Sequence, residues 1–180
     1  MRVSRGIELC ESLSVLAQYE SLNFLEVLMP KLRFNHMELT FPKGELEKVR
    51  DPIREFYGEV FEMESLDVPI LGQIGLLLRT DPETSQFILL TEQRKHLSSP
   101  GFDHLGFLYE TREEVDTLRE KCAKWQEKDP RVQIKDYEDI VNGDMTVRAF
   151  YVRYLLPIWF DIQTAEYANG TAPEKTWRYQ

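Results

Sequence analysis

Phe34-Asn35-His36-Met37-Glu38-Leu39 and, 68 residues on from His36 to His104, Phe102-Asp103-His104-Leu105-Gly106-Phe107 share one pattern: Phe, Asn or Asp, His, Met or Leu, any residue, Leu or Phe. Both alternate with the period of two that gives a strand two distinct faces. A helical pattern follows each. Residues 45–61 carry Val49, Ile53, Phe56 and Val60, and residues 112–125 carry Val115, Leu118, Cys122 and Trp125, at three- and four-residue steps. Pro52 falls inside the first of these, so that helix is predicted to begin near Asp51, with the acid as cap and the proline at the first helical position. Three strand-like runs then follow each helix: 62–68, 73–79 and 86–91 in the first half, and 131–137, 146–153 and 158–164 in the second. Pro69, Gly72, Asp81-Pro82, Asn142-Gly143 and Pro157 break them apart. The repeat is therefore strand, helix, strand, strand, strand, used twice, which makes an α+β fold. Each module alone leaves one sheet face bare, so two must pair, within this chain or between chains, into a curved mixed sheet around a cleft.

Outside the repeat, residues 7–28 place Leu9, Leu13, Leu16, Phe24, Leu25 and Leu28 on an amphipathic helical stripe that Pro30 ends. The predicted organisation is a helical extension at 1–33, a paired domain at 34–166 (modules 34–95 and 102–166) and a tail at 167–180. The extension's apolar face packs on its own domain or on a second subunit, and a homodimer is the expected state.

The 180 residues are 42% hydrophobic and 29% charged, ordinary for a globular chain. Twenty-two basic against 31 acidic residues give a net charge of −9, which repels nucleic acid. Arg148 to Arg153 is interleaved with aromatics and reads as the two faces of a strand, not as a nucleic-acid patch. No run approaches the roughly 18 apolar residues of a membrane span, and acids occupy the N-terminal stretch where a secretory leader would be apolar. No membrane or nucleic-acid partner is expected, and the expected location is cytoplasmic. Cys10 and Cys122 have neither the number nor the spacing for a disulfide framework or a zinc site.

Two of only three histidines, His36 and His104, occupy the same place in the two modules. A neutral imidazole is a common ligand for transition metals, and a two-histidine site that keeps open positions needs a carboxylate. In Ile158-Trp159-Phe160-Asp161-Ile162-Gln163, alternation puts Trp159, Asp161 and Gln163 on one face. Asp161 is an acid in an apolar strand, a costly arrangement unless it is paired or binds a metal. The third histidine, His96, sits in a polar link between modules and reads as a solvated loop residue.

The duplicated module with these residues resembles the vicinal oxygen chelate superfamily, which includes glyoxalase I, extradiol dioxygenases, methylmalonyl-CoA epimerase and bleomycin-resistance proteins. The resemblance covers residues 34 to about 166, with Phe150-Tyr151-Val152-Arg153 aligned ahead of the final strand. It implies His36, His104 and Asp161 as metal ligands. Three departures stand out. The family mostly has Glu where this chain has Asp161, Tyr154-Leu155-Leu156-Pro157 replaces the usual Asp-Pro-x-Gly turn, and Leu89 stands where glyoxalase I and the epimerase carry an acidic ligand that is also the base. The remaining three-ligand set fits an extradiol-dioxygenase-like enzyme best. Iron(II) or manganese(II) leads as the cofactor, ahead of zinc(II) or nickel(II), and the substrate is a small molecule with adjacent oxygens. The alternatives are a glyoxalase-like lyase or isomerase and a non-catalytic binding protein of the bleomycin-resistance type.

Around that site, Glu38 shares the face of His36 and is placed to accept a proton, although pairing with a buried arginine would explain it equally. Tyr151 is the second candidate catalytic group. Arg153, on the same face, is placed to bind an anionic oxygen of the substrate. Trp159 is the candidate to line the pocket.

Overall fold

The structure, a computed structural model, describes residues 34–82, 86–170 and 172. The predicted N-terminal helix over 7–28 lies outside the described residues. The chain divides into two compact units, Met1–Phe34 and Asn35–Gln180, and the second holds both modules. Its elements run β1 (His36–Phe41), α1 (Leu46–Phe61), β2 (Ser65–Ile70), β3 (Gln73–Arg79), β4 (Phe87–Glu92), β5 (His104–Leu108), α2 (Arg112–Lys128), β6 (Gln133–Asp136), β7 (Ile140–Asn142), β8 (Met145–Arg153) and β9 (Trp159–Tyr167). This is the expected βαβββ unit used twice, with the short β7 added beside β8 where the sequence reads as a turn.

The first sheet has the order β1-β4-β3-β2 and the second β5-β9-β8-β6. In each, the opening strand pairs parallel with the closing strand, and the other pairings are antiparallel. Among the described residues no strand of one sheet pairs with a strand of the other. The helices join the modules instead. Phe56 of α1 sets its edge against Trp125 of α2 at 5.5 Å between ring centres, and Tyr57 and Phe61 pack on Phe160 of β9. The Tyr57 hydroxyl, fully buried, donates to the carbonyl of Tyr154 at 3.1 Å. One core collects the inner faces of both sheets: Leu39, Leu76, Leu78, Ile88 and Leu90 from the first, and Phe150, Val152, Phe160 and Ile162 from the second. Burying each such side chain is worth roughly 1.5–3 kcal/mol before conformational entropy is counted.

Helix α1 begins at Leu46, five residues before the predicted start, and Pro52 lies inside it. Proline removes one intrahelical bond, but Leu46 is 1% exposed in the core and its burial favours the earlier turn. That turn also borrows its cap from another element, because the Glu92 carboxylate at the end of β4 accepts from the amides of Gly44 and Leu46 at 2.9 Å each. Helix α2 caps itself through a reciprocal Thr111–Glu114 box. The β2–β3 hairpin turns on Leu71 and Gly72, both at positive φ (48° and 76°). Leu71 is 90% exposed, so a branched side chain holds a left-handed conformation without packing to favour it. No helix of the described residues is long and apolar enough to cross a membrane.

Candidate metal and substrate site

Alternation gives each sheet a second face, turned away from the shared core. On the second sheet, the pairings align Gly106, Asp161, Tyr151 and Lys135 across β5, β9, β8 and β6 in one row. Beside it, His104 pairs with Trp159 and Arg153 with Gln133, and the Arg153 guanidinium lies over the Trp159 ring. Four of the sequence-nominated residues of this module, Tyr151, Arg153, Trp159 and Asp161, thus meet His104 on a single surface.

His104 Nδ1 lies 2.8 Å from the carbonyl oxygen of Phe102. A carbonyl only accepts, so Nδ1 carries a proton, and in the neutral ring Nε2 is the nitrogen with the lone pair. Nε2 faces the Tyr151 hydroxyl at 3.4 Å and Asp161 Oδ2 at 3.8 Å. Asp161 is 8% exposed, and its other oxygen, Oδ1, is buried with no hydrogen-bond partner. Burial pushes the Asp161 carboxyl above the ordinary aspartate value, and the nearness of His104 offsets part of that. Burial, and then the Asp161 charge, push the Tyr151 phenol up as well. Opposite Asp161, position 106 is glycine, and the Gln163 side-chain amide lies over it.

Cations and rings surround this pair. The Arg153 guanidinium lies 4.6 Å from the centre of the Trp159 ring and donates to Gln133 Oε1 at 2.7 Å. Trp159 itself is anchored through its indole N–H to the carbonyl of Gly101. Lys135 Nζ stands 3.7 Å from the centre of Phe102 and 4.8 Å from that of Tyr137. The sequence reading missed Lys135, Phe102 and Tyr137. The signal lay in the alternation of Gln133 and Lys135 along β6, but its use depends on the β6–β8 register, which a single sequence does not reveal.

The first sheet presents the equivalent face differently. His36 is exposed, stacks flat on Phe87 at 4.9 Å, and has Nδ1 2.7 Å from Asn35 Oδ1. Glu38 accepts from the Thr91 hydroxyl at 2.6 Å, a different partner from the buried arginine weighed above. Its neighbour across the β1–β4 pairing is Leu89, just as Gly106 neighbours Asp161 in the second module. Each module therefore carries one acid on this rung, on the opening strand in the first and on the closing strand in the second.

His36 does not join His104 and Asp161: among the described residues no three His, Cys, Asp or Glu side chains gather to hold an ion. The two faces are turned away from a core that the helices fill, so one chain does not bring them together. Two clefts of about 420 Å³ each open instead at the junction of the modules, sharing Phe61, Glu62 and Tyr109, and neither touches the histidines or Asp161. Burial pushes the Tyr109 phenol up to about 12 there.

The donor chemistry of His104 and Asp161 fits a divalent ion. His104 Nε2 and Asp161 Oδ2 are 3.8 Å apart and the buried Oδ1 has no partner, so an imidazole nitrogen and a carboxylate have donor capacity left for an ion of this kind.

No family model matches the sequence, and no curated protein matches it. Among solved structures the chain is similar to a glyoxalase family protein from Bacillus anthracis, at 17% identity over 77% of this chain and 98% of that one, with a TM-score of 0.53. It is similar to the fosfomycin resistance protein FosX from Listeria monocytogenes, at 19% identity over 75% and 91% of the two chains, with a TM-score of 0.52. It is also similar to lactoylglutathione lyase from Agrobacterium tumefaciens, at 16% identity over 75% and 94%, with a TM-score of 0.50. At these identities the likeness is one of architecture. The chain has the paired βαβββ fold of the vicinal oxygen chelate superfamily, to which these glyoxalase and FosX proteins belong.

Proposed function

We propose that the protein is a metal-dependent enzyme that acts on a small molecule with adjacent oxygens, at a site assembled from two copies of the chain. His104 and Asp161 of one chain, with His36 of a second, hold iron(II) or manganese(II). The observation that carries this reading is the buried Asp161, whose Oδ1 has no partner and whose Oδ2 lies 3.8 Å from His104 Nε2. The second copy follows from where His36 sits. Strands β1 and β5 each pair on one side only among the described residues, and a free strand edge is a template for pairing with another chain.

A bound divalent ion supplies Lewis acidity toward two neighbouring substrate oxygens and, as iron(II), a place for dioxygen. The chain's own residues do the rest. The carbonyl of Phe102 keeps His104 in the tautomer with a free Nε2. Tyr151 is within reach to donate to an oxygen that gains charge, and Trp159 closes the apolar side against water. Glu38, fixed by Thr91, accepts a proton from the substrate. With Leu89 in place of an acid, three ligands remain, which favours the extradiol-dioxygenase-like reaction. The position of Glu38 on the Leu89 rung supports a second reading, a lyase or isomerase that uses Glu38 as its base.

Elemental analysis of chain purified without chelators tests the site, run beside His36→Ala and His104→Ala and beside the two variants mixed, unfolded and refolded together. The expected result is about one iron or manganese per wild-type chain and none in either variant. The mixture recovers about a quarter, because half the pairs are mixed and each holds one intact site of two. Wild type that takes up no divalent metal overturns the enzyme reading and leaves a binding protein. Metal in wild type with no recovery in the mixture overturns the two-chain site. Oxygen consumption with catechols then separates dioxygenase from isomerase.

A further inference from the structure

We infer that the substrate is an organic anion, held at its charged end by Lys135 and Arg153 while its adjacent oxygens meet His104 and Asp161. The inference rests on the reading of His104 and Asp161 as the reacting end. In a chain with 31 acids to 22 bases, most of the described arginines pair with a carboxylate, while several exposed lysines and Arg94 do not. Every arginine of α1 and α2 bonds one, and so do Arg79, Arg131 and Arg148. Arg153 has only an amide oxygen and a ring, and Lys135 only two rings. Among the described residues neither has a carboxylate partner.

The two are also placed to act together. Lys135 faces Tyr151 across the β6–β8 pairing, and Arg153 is two residues on, so they are diagonal neighbours on one face, about 7–8 Å apart at the backbone. Both are half-buried. The guanidinium sits over the Trp159 ring and donates one N–H to Gln133, which leaves further N–H groups for a carboxylate or phosphonate. Cation–ring contacts fix both charges more weakly than a carboxylate would, so an incoming anion gains more than it displaces. Lys135 and Asp161 stand two strands apart in one row, about 10 Å between backbones, a span that suits a single substituted ring. The anion at one end and the buried acid at the other then orient the molecule in one sense only.

The test is calorimetric titration of the full chain after chelator treatment, with 3,4-dihydroxybenzoate, benzoate, phenylphosphonate and neutral catechol. At least one carboxylate or the phosphonate is expected to bind about tenfold or more tighter than catechol, with an affinity that falls as salt rises. Lys135→Met and Arg153→Gln each remove most of that preference, and Lys135→Arg restores it. Comparison of benzoate with phenylphosphonate identifies which anion the pair prefers. Anions that bind no better than catechol, or no measurable binding of any anion below about 10 mM, overturn the inference. A preference that survives in both Lys135→Met and Arg153→Gln overturns it as well. Because the titration uses metal-free protein, failure of the metal reading shows in the elemental analysis and failure of the anion reading shows here.

Discussion

Asp161→Asn should make the metal-free protein more stable. The side chain is 8% exposed and Oδ1 has no partner, so the folded state carries a carboxylate that water would solvate far better. An unsatisfied buried polar group costs about 1–3 kcal/mol, and more when charged. The amide keeps the shape, removes the charge and can donate to the bare Nε2 of His104. A gain of about 1–2 kcal/mol is expected, which for a chain of this size raises Tm by about 2–4 °C for each kcal/mol. The pH dependence has a definite sign. The folded-state carboxyl titrates above its unfolded value, so the acid is neutral in both states at low pH and carries no penalty there. The penalty grows as pH rises from the unfolded carboxylate value to the folded one, and is complete above it. The variant's advantage should therefore be absent near pH 3 and larger at pH 7.5. Urea melts of chelator-treated wild type and variant at both pH values measure this. Manganese at a hundredfold over its dissociation constant should then add about 2.7 kcal/mol to wild type and nothing to the variant. An Asp161→Asn protein less stable than wild type at pH 7.5 without metal would refute the reasoning, because it would mean the carboxylate is satisfied in the fold.

Three further outcomes test the architecture. Tyr57→Phe should cost about 1–1.5 kcal/mol in urea melts, since it leaves the buried Tyr154 carbonyl without the hydroxyl that crosses between modules. Leu71→Asn should stabilise by about 0.5–1 kcal/mol, because asparagine tolerates the left-handed backbone that an exposed leucine holds at φ 48°. Burial pushes the Cys122 thiol up to about 12, so with Cys10→Ser in place the native chain should not react with a disulfide reagent at pH 8 and should react once urea unfolds it.

The repeat was legible because its two histidine strands lie in matching contexts, and alternation within β9 was enough to set Trp159, Asp161 and Gln163 on a common face. What stayed hidden was anything that depended on pairing. The early start of α1 rests on Glu92, a residue 46 positions from the amide of Leu46 that it caps. The place of Lys135 beside Phe102 and Tyr151 rests on how β6 registers against β8. The separation of His36 from His104 was illegible for a related reason. Periodicity says which face of a strand is apolar, but not whether two apolar faces meet through their helices or along their edges.

Duplicated modules diverge one position at a time, and the facing pairs Glu38–Leu89 and Gly106–Asp161 constrain the order in which that happened. Two acids on one rung repel and must share a proton, so a module passing from one arrangement to the other does best by way of a rung with no acid at all. A chain with two modules still carries an acid on the other module's rung at that step, which a single module does not.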